Sequence, residues 1–478
     1  MNTRTDALPL GATAVTWRDP KRLAWPLVPL WILSPVLSIA LAVTTDHAAW
    51  YWLPVVLTYI VLPILDLDGL IGRDTRNPPE AAVPALETDR YYSALLYLTV
   101  PCHYITLFAG AWAVGTQDLS VVSYIGVVWA CGLMNGFGVA TAHELGHKKS
   151  ATERWLAKIT LAAGFYGQYM IDHNRGHHRD VATPEDSGSA RFGEGFWEFM
   201  LLRQVPHSDF VRPWALEKQR LARKGKGPWS FENEFIQPAL ISIAVYGLIA
   251  WMYGWVVVPY LLGAACITYL FLALADYIEH YGLVRRKRED GRYERVSPEH
   301  SWNTDHVASN VIFWNVQRHS DHHAWPTRRY QSLRSFRHLP EMPTGYPGMF
   351  GIALLFPLWR WIMYPRVLAL HGHDLTRMNV HPGRREELMR KYHRPVPAGP
   401  AVDPAEAAAH LPQGHVIGAR SGEAPRHQCP GCGYVYDQAR GDSQQGFLPG
   451  TPWARIPDDW QCPDCAVREK VDFVRVGS

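Results

Sequence analysis

A ladder of apolar stretches constrains this chain more than any other feature. Residues 23–43, 50–64, 92–114 and 121–142 are each long, or nearly long, enough to cross a hydrocarbon layer of ~30 Å. A further stretch, 235–280, is interrupted near 252–254 and reads as two spans forming a hairpin. Because only closed hydrogen-bonding structures survive in lipid, the expectation is an all-α membrane protein, a bundle of six transmembrane helices. Residues 1–20 are polar with no cleavable apolar core, so the first span reads as a retained anchor.

Orientation follows from the short loops. Lys21 and Arg22, then Arg73, Arg76 and Arg90, then Lys148, Lys149, Arg154 and Lys158, then Arg285, Arg286 and Lys287 all fall on one side. Loops 44–49, 115–120 and 252–254 carry no Lys or Arg. Both termini are therefore expected in the cytoplasm. Two more apolar segments, 155–170 and 346–370, must lie on the surface if the polar clusters they separate are to share one face. A net charge of +3 over 478 residues gives no case for nucleic acid.

Set among these spans are nine histidines: His143 and His147 in HELGH, His173, His177 and His178 in HNRGHH, His280 in EHYG, and His319, His322 and His323 in HSDHH. On a helix His143 and His147 share one face, whereas the adjacent His177 and His178 diverge and suit two different metals. Nine imidazoles exceed what one ion can use, so a pair of ions is the economical reading. HELGH alone also matches the H-E-x-x-H of zinc peptidases, but one zinc would leave the other runs unexplained. The carboxylates Glu144, Asp172, Glu279 and Asp321 lie beside the runs and are expected to accept the outer ring nitrogens of the ligands. His47, His103, His300, His306 and His338 take the duller reading of ordinary structural histidines, His300 and His306 being the nearest to exceptions.

HELGHK, HNRGHHRDVATPEDS, EHYGL and QRHSDHHAWPTRRYQSL together resemble the integral-membrane alkane 1-monooxygenases, over roughly residues 21–370. The resemblance implies a non-haem di-iron centre held by the nine histidines, with O₂ and the terminal methyl of a medium-chain n-alkane as substrates. The family's second run begins with Glu, where this chain has Asp172. A membrane desaturase or hydroxylase acting on fatty-acyl or other lipid chains shares this chemistry and stays open, as does a metal-handling protein without catalysis.

Near the C-terminal end, Cys429-Pro-Gly-Cys432 and Cys462-Pro-Asp-Cys465 form two C-x-x-C knuckles able to hold one tetrahedral metal. With Gly433, Tyr434, Tyr436, Trp460 and Phe473 around them, residues 426–478 resemble rubredoxin, a one-electron iron carrier; a structural zinc is the alternative. Ala466 replaces the Gly usual after the second knuckle. Cys102, Cys131 and Cys266 lie in spans and read as buried apolar residues. Residues 371–425, rich in Pro, Ala and Gly, read as a flexible linker. The resemblance further implies an NADH-dependent, FAD-containing rubredoxin reductase as partner and a bacterial-type inner membrane as location, and leaves homo-oligomer formation open. Residues 429–473 have seven acidic residues against four basic ones, and the expected docking surface is Arg318, Arg328, Arg329, Arg334 and Arg337 beside the third run.

Overall fold

The computed structural model describes residues 17–289, 291 and 293–394, and in the C-terminal part 425–430, 433–442, 447–457, 460, 462 and 468–476. The first apolar stretch is not one rod. It forms α1 (Leu27–Ile32) and α2 (Ser34–Thr45), divided at Leu33 just ahead of Pro35, which has no amide hydrogen to continue the ladder. Then come α3 (Ala48–Leu65), α4 (Arg90–Thr116) and α5 (Val121–Gly146). Asp89 starts α4 by accepting the Tyr91 amide at 2.9 Å, and Ser120 starts α5 by accepting the Ser123 amide at 3.1 Å.

The amphipathic α6 (Ala151–Ala162) packs across α5, and α7 (Arg212–Arg223) carries a basic face. Helices α8 (Ile236–Tyr253) and α9 (Trp255–Glu279) form the expected hairpin, turned at Gly254, whose φ of 78° favours glycine. Among the described residues, α3, α4, α5, α8 and α9 are long and apolar enough to cross a membrane. Segment 155–170 yields no such helix. Segment 346–370 divides into α11 (Tyr346–Leu354) and α12 (Phe356–Leu370), neither long enough by itself to cross a membrane. Between them and α9, α10 (His319–Ala324) carries the third histidine run.

Helix α5 is the axis of the bundle: 83% of its apolar window is buried, against 22% for α3 and 17% for α8. Its glycines allow the close approach of α9. A methyl group at Gly132 would meet the Ala264 carbonyl oxygen at 2.8 Å, and one at Gly136 would meet the Phe271 ring at 2.6 Å. That contact brings the ends of α5 and α9 together, and with them His143 and His280.

Residues 371–394 differ from the expected linker. Leu375 and Leu388 are buried in the main core, the latter on α13 (Arg385–Tyr392), and the Phe192 amide donates to the Asn379 carbonyl at 2.7 Å. The Pro and Gly content that suggested a tether here belongs to turns closing over a packed surface. The rest of that stretch, 395–424, lies outside the described residues. After it, β1 (Arg426–Gln428), β2 (Val435–Asp437) and β3 (Val474–Val476) form a small antiparallel sheet, ordered β2-β1-β3, around Tyr436, Trp460 and Phe473. Cys102 and Cys131 are buried as expected, but Cys266 is exposed on the outer surface of α9.

Candidate metal centre

The C-terminal end of α5 presents His143 and His147 one helical turn apart. The second run is π-helical: the His178 amide bonds the His173 carbonyl, five residues back. The wider turn places His173 and His178 on one face, with their Nε2 atoms 3.1 Å apart, while His177 faces elsewhere. In α10, His319 and His323 meet edge to face with Nε2 atoms 2.9 Å apart, and His322 turns to the opposite group, 3.1 Å from His178 Nε2. His280 ends α9 with its Nε2 3.1 Å from that of His319.

All nine imidazoles are therefore sorted into two buried groups. His143, His147, His173, His178 and His322 form one, and His177, His280, His319 and His323 the other, with one ring nitrogen from each histidine of a group within 4.8 Å of the rest. A first-row ion with nitrogen bonds of ~2.1 Å and ligands at right angles sets neighbouring nitrogens ~3.0 Å apart, which is the spacing found. His143 Nε2 and His177 Nε2 are buried without a hydrogen-bond partner, as atoms aimed at an ion would be. Burial, reinforced by the neighbouring imidazoles, pushes His147, His173, His178, His319, His322 and His323 well below the usual histidine range and keeps them neutral, the form that binds metal.

Of the four carboxylates expected around the ligands, three have other partners. Glu144 pairs with Lys148 at 2.9 Å and accepts the Tyr330 amide, which turns it away from the site and removes the peptidase reading. Asp172 lies 3.1 Å from Arg212 Nε. Asp321 accepts from the Arg334 amide, Nε and Nη2 at 2.8–3.0 Å. Glu279 does reach the histidines, with Oε2 3.2 Å from His319 Nε2 on the inward side of the ring, while its Oε1 accepts the Tyr346 hydroxyl.

The outer acceptors are different groups. Asp186 Oδ2 lies 2.9 Å from His177 Nδ1, and the His300 carbonyl lies 2.8 Å from His280 Nδ1. Asp186 sits in PEDS, at the end of the second quoted motif, where spacing gives it no distinction. His300 bonds Ser297 and Glu294, and His306 bonds Thr304, so neither joins a histidine group.

A narrow cavity of about 30 Å³ opens beside both groups. Val139, Ala140, Phe271, Leu272, Phe313 and Val316 line its apolar part, and it ends on His143, His173, His319 and Glu279.

In the carrier part, Cys429 and Cys462 are buried, and Gly433, in left-handed conformation at φ 84°, donates its amide to the Cys429 carbonyl at 3.0 Å. Cys432, Cys465 and the turn at Ala466 lie outside the described residues. Four of the five arginines of the expected docking surface have other partners. Arg328 and Arg334 pair with Glu80 and Asp321, Arg329 pairs with Glu153, and Arg318 donates to the Leu333 carbonyl. These arginines hold the third run in place. The acidic Glu469 and Asp472 instead meet Arg175, Arg223 and Lys224.

The chain is similar to known proteins over both parts. A family described as Fatty acid desaturase matches residues 119–353, and one described as Rubredoxin matches 426–473. An Alkane 1-monooxygenase from Ectopseudomonas oleovorans is 45% identical over 380 residues, covering 80% of this chain and 94% of that protein. Alkane 1-monooxygenase 1 from Alcanivorax borkumensis is 46% identical, covering 78% and 92%. Rubredoxin-1 from Pseudomonas putida is 61% identical over 51 residues, covering 11% of this chain and 29% of that protein.

Proposed function

Because this chain belongs to the alkane 1-monooxygenase family, with a rubredoxin domain fused to it, we propose that the two histidine groups are the ligand sets of its two irons. The enzyme hydroxylates alkanes using electrons supplied through rubredoxin. The observation that carries the ligand assignment is the division of nine buried imidazoles into groups of five and four beside one apolar cavity. Cys429 and Cys462, with Cys432 and Cys465, are assigned to the carrier iron.

Iron bound at the two groups would supply the redox chemistry for a four-electron reduction of O₂, two electrons coming from the carrier and two from the alkane; the balance is alkane, O₂, two electrons and two protons giving alcohol and water. The residues of the chain do the rest. Asp186 and the His300 carbonyl fix two rings by their outer nitrogens. Val139, Ala140, Phe271 and Phe313 exclude water and admit an apolar chain end. The largely apolar lining of this cavity suits a terminal methyl better than a polar headgroup. Medium-chain n-alkanes attacked at the terminal carbon are the substrates proposed. The match to the desaturase family keeps acyl chains as the competing reading.

Helices α1 and α2 are read as one bent span which, with α3, α4, α5, α8 and α9, makes six. The charge of the loops puts the histidines, both termini and the carrier on the cytoplasmic side of an inner membrane. The hydroxylase unit runs from 21 through 394 and the carrier from 426 to 478, with an FAD-containing reductase drawing on NADH as electron source. The test is to feed octane and a fatty-acyl thioester under ¹⁸O₂. Labelled 1-octanol with an unchanged thioester is expected, and a desaturated thioester with no octanol would contradict it.

A further inference from the structure

A basic cleft of about 300 Å³ lies beside the second histidine run, and a side chain from the carrier enters it. Arg154, Lys158, Arg175, Arg220 and Lys224 line it together with Glu469 of the rubredoxin domain. Arg175 is the central group. Its Nη1 donates to Glu217 at 3.0 Å, and its Nη2 is shared by Glu234 and by Glu469 Oε1, the latter at 3.2 Å. Lys224 Nζ lies 3.5 Å from Glu469 Oε2, and Arg223 pairs with Asp472 at the rim. Glu217 and Glu234 hold the guanidinium from one side, so it is oriented in advance for a third carboxylate.

The contact is continuous at both ends. Glu469 follows Arg468, whose carbonyl accepts the amide of Cys462 at 2.7 Å. Arg175 stands two residues from His173. Next to it, Asn174 donates to the Gly146 carbonyl at 3.2 Å, and both line the cleft beside His173 and His147 of the five-histidine group. His177, the other histidine near Arg175, is engaged by Asp186.

We propose that the Glu469–Arg175 contact is where electrons cross from the cysteine-held iron to the five-histidine site, and that Arg223–Asp472 holds the docked pose. This rests on the iron assignment above. Each crossing oxidises the carrier iron from Fe(II) to Fe(III) and reduces the acceptor iron from Fe(III) to Fe(II). No bond or proton moves, and two crossings serve one turnover.

The test uses the full-length, iron-loaded protein with its carrier reduced anaerobically and then mixed with O₂ and octane. Return of the carrier's visible absorbance gives the crossing rate, and iron per chain is measured on the same samples. Glu469→Gln is expected to slow the crossing by roughly tenfold or more with iron content unchanged. Arg223→Glu and Asp472→Arg should each slow it, and the double reversal should return it to within about twofold of wild type. Wild-type rates in Glu469→Gln, or a double reversal no faster than its single parents, would overturn the proposal. Failure of the iron assignment is a separate result: unmutated protein would then lack histidine-bound iron and make no octanol.

Discussion

Asp186 Oδ2 lies 2.9 Å from His177 Nδ1, and it is the carboxylate that holds a ring of the four-histidine group by its outer nitrogen. Ser189 Oγ donates to the same oxygen at 2.7 Å and Arg212 Nη1 to the other oxygen at 3.1 Å, so the acceptor is itself fixed. Replacing Asp186 by Asn removes the charge-assisted bond while keeping the shape. Iron affinity at the four-histidine site is expected to fall ~10–100-fold, with the five-histidine iron retained, as measured by iron stoichiometry after titration with a chelator.

Asp321 gives the opposite expectation. It accepts from three nitrogens of Arg334 and from no histidine. Asp321→Asn should cost ~1–3 kcal/mol of stability, because the half-buried Arg334 loses one of its two counter-charges and keeps only the exposed Glu80. Iron per folded chain should stay at the wild-type value, and thermal unfolding together with iron analysis separates the two effects.

The apolar cavity makes a steric prediction. Ala140 lies on α5 one turn before His143 and lines the space beside both groups. Ala140→Leu fills a volume of about 30 Å³ and is expected to raise KM for octane or abolish turnover, with both histidine irons still bound. Product formation by gas chromatography, with Mössbauer spectra of the same preparation, checks it.

Asp66, just beyond α3, is buried with one oxygen accepting the Ser309 amide at 3.1 Å. Burial raises its pKa to about 6, against the pull of the Ser309 bonds. The folded state therefore binds its proton more tightly than the unfolded state, and stability falls as pH rises from about 4 to about 6. Asp66→Asn keeps the acceptor and removes the charge. It should stabilise by up to ~3 kcal/mol above pH 6, with the gain shrinking towards pH 4, as followed by unfolding midpoints of variant and wild type side by side.

Much of this site can be read from spacing. His143 and His147 at i,i+4, and His177 beside His178, already require two directions of coordination. Local period could not reveal which histidines share an ion, because the π turn bringing His173 onto the face of His178 depends on tertiary packing. The same limit hid Asp186, which reaches His177 across a loop, and hid the partners of the arginines near the third run. Arg328, Arg329 and Arg334 looked free in sequence, yet Glu80, Glu153 and Asp321 fold back onto them. Composition also misled at 371–394, where Pro and Gly shape turns over a buried Leu375 and Leu388.

The central claim is that nine imidazoles form two separate coordination sites. Mössbauer spectroscopy of protein grown on ⁵⁷Fe, combined with total iron analysis, tests it most directly. Three irons per chain are expected: one tetrahedral thiolate iron and two inequivalent nitrogen-ligated irons, with His322→Ala perturbing one of the pair and His280→Ala the other. A single nitrogen-ligated iron, or one site lost to both substitutions alike, would contradict the account.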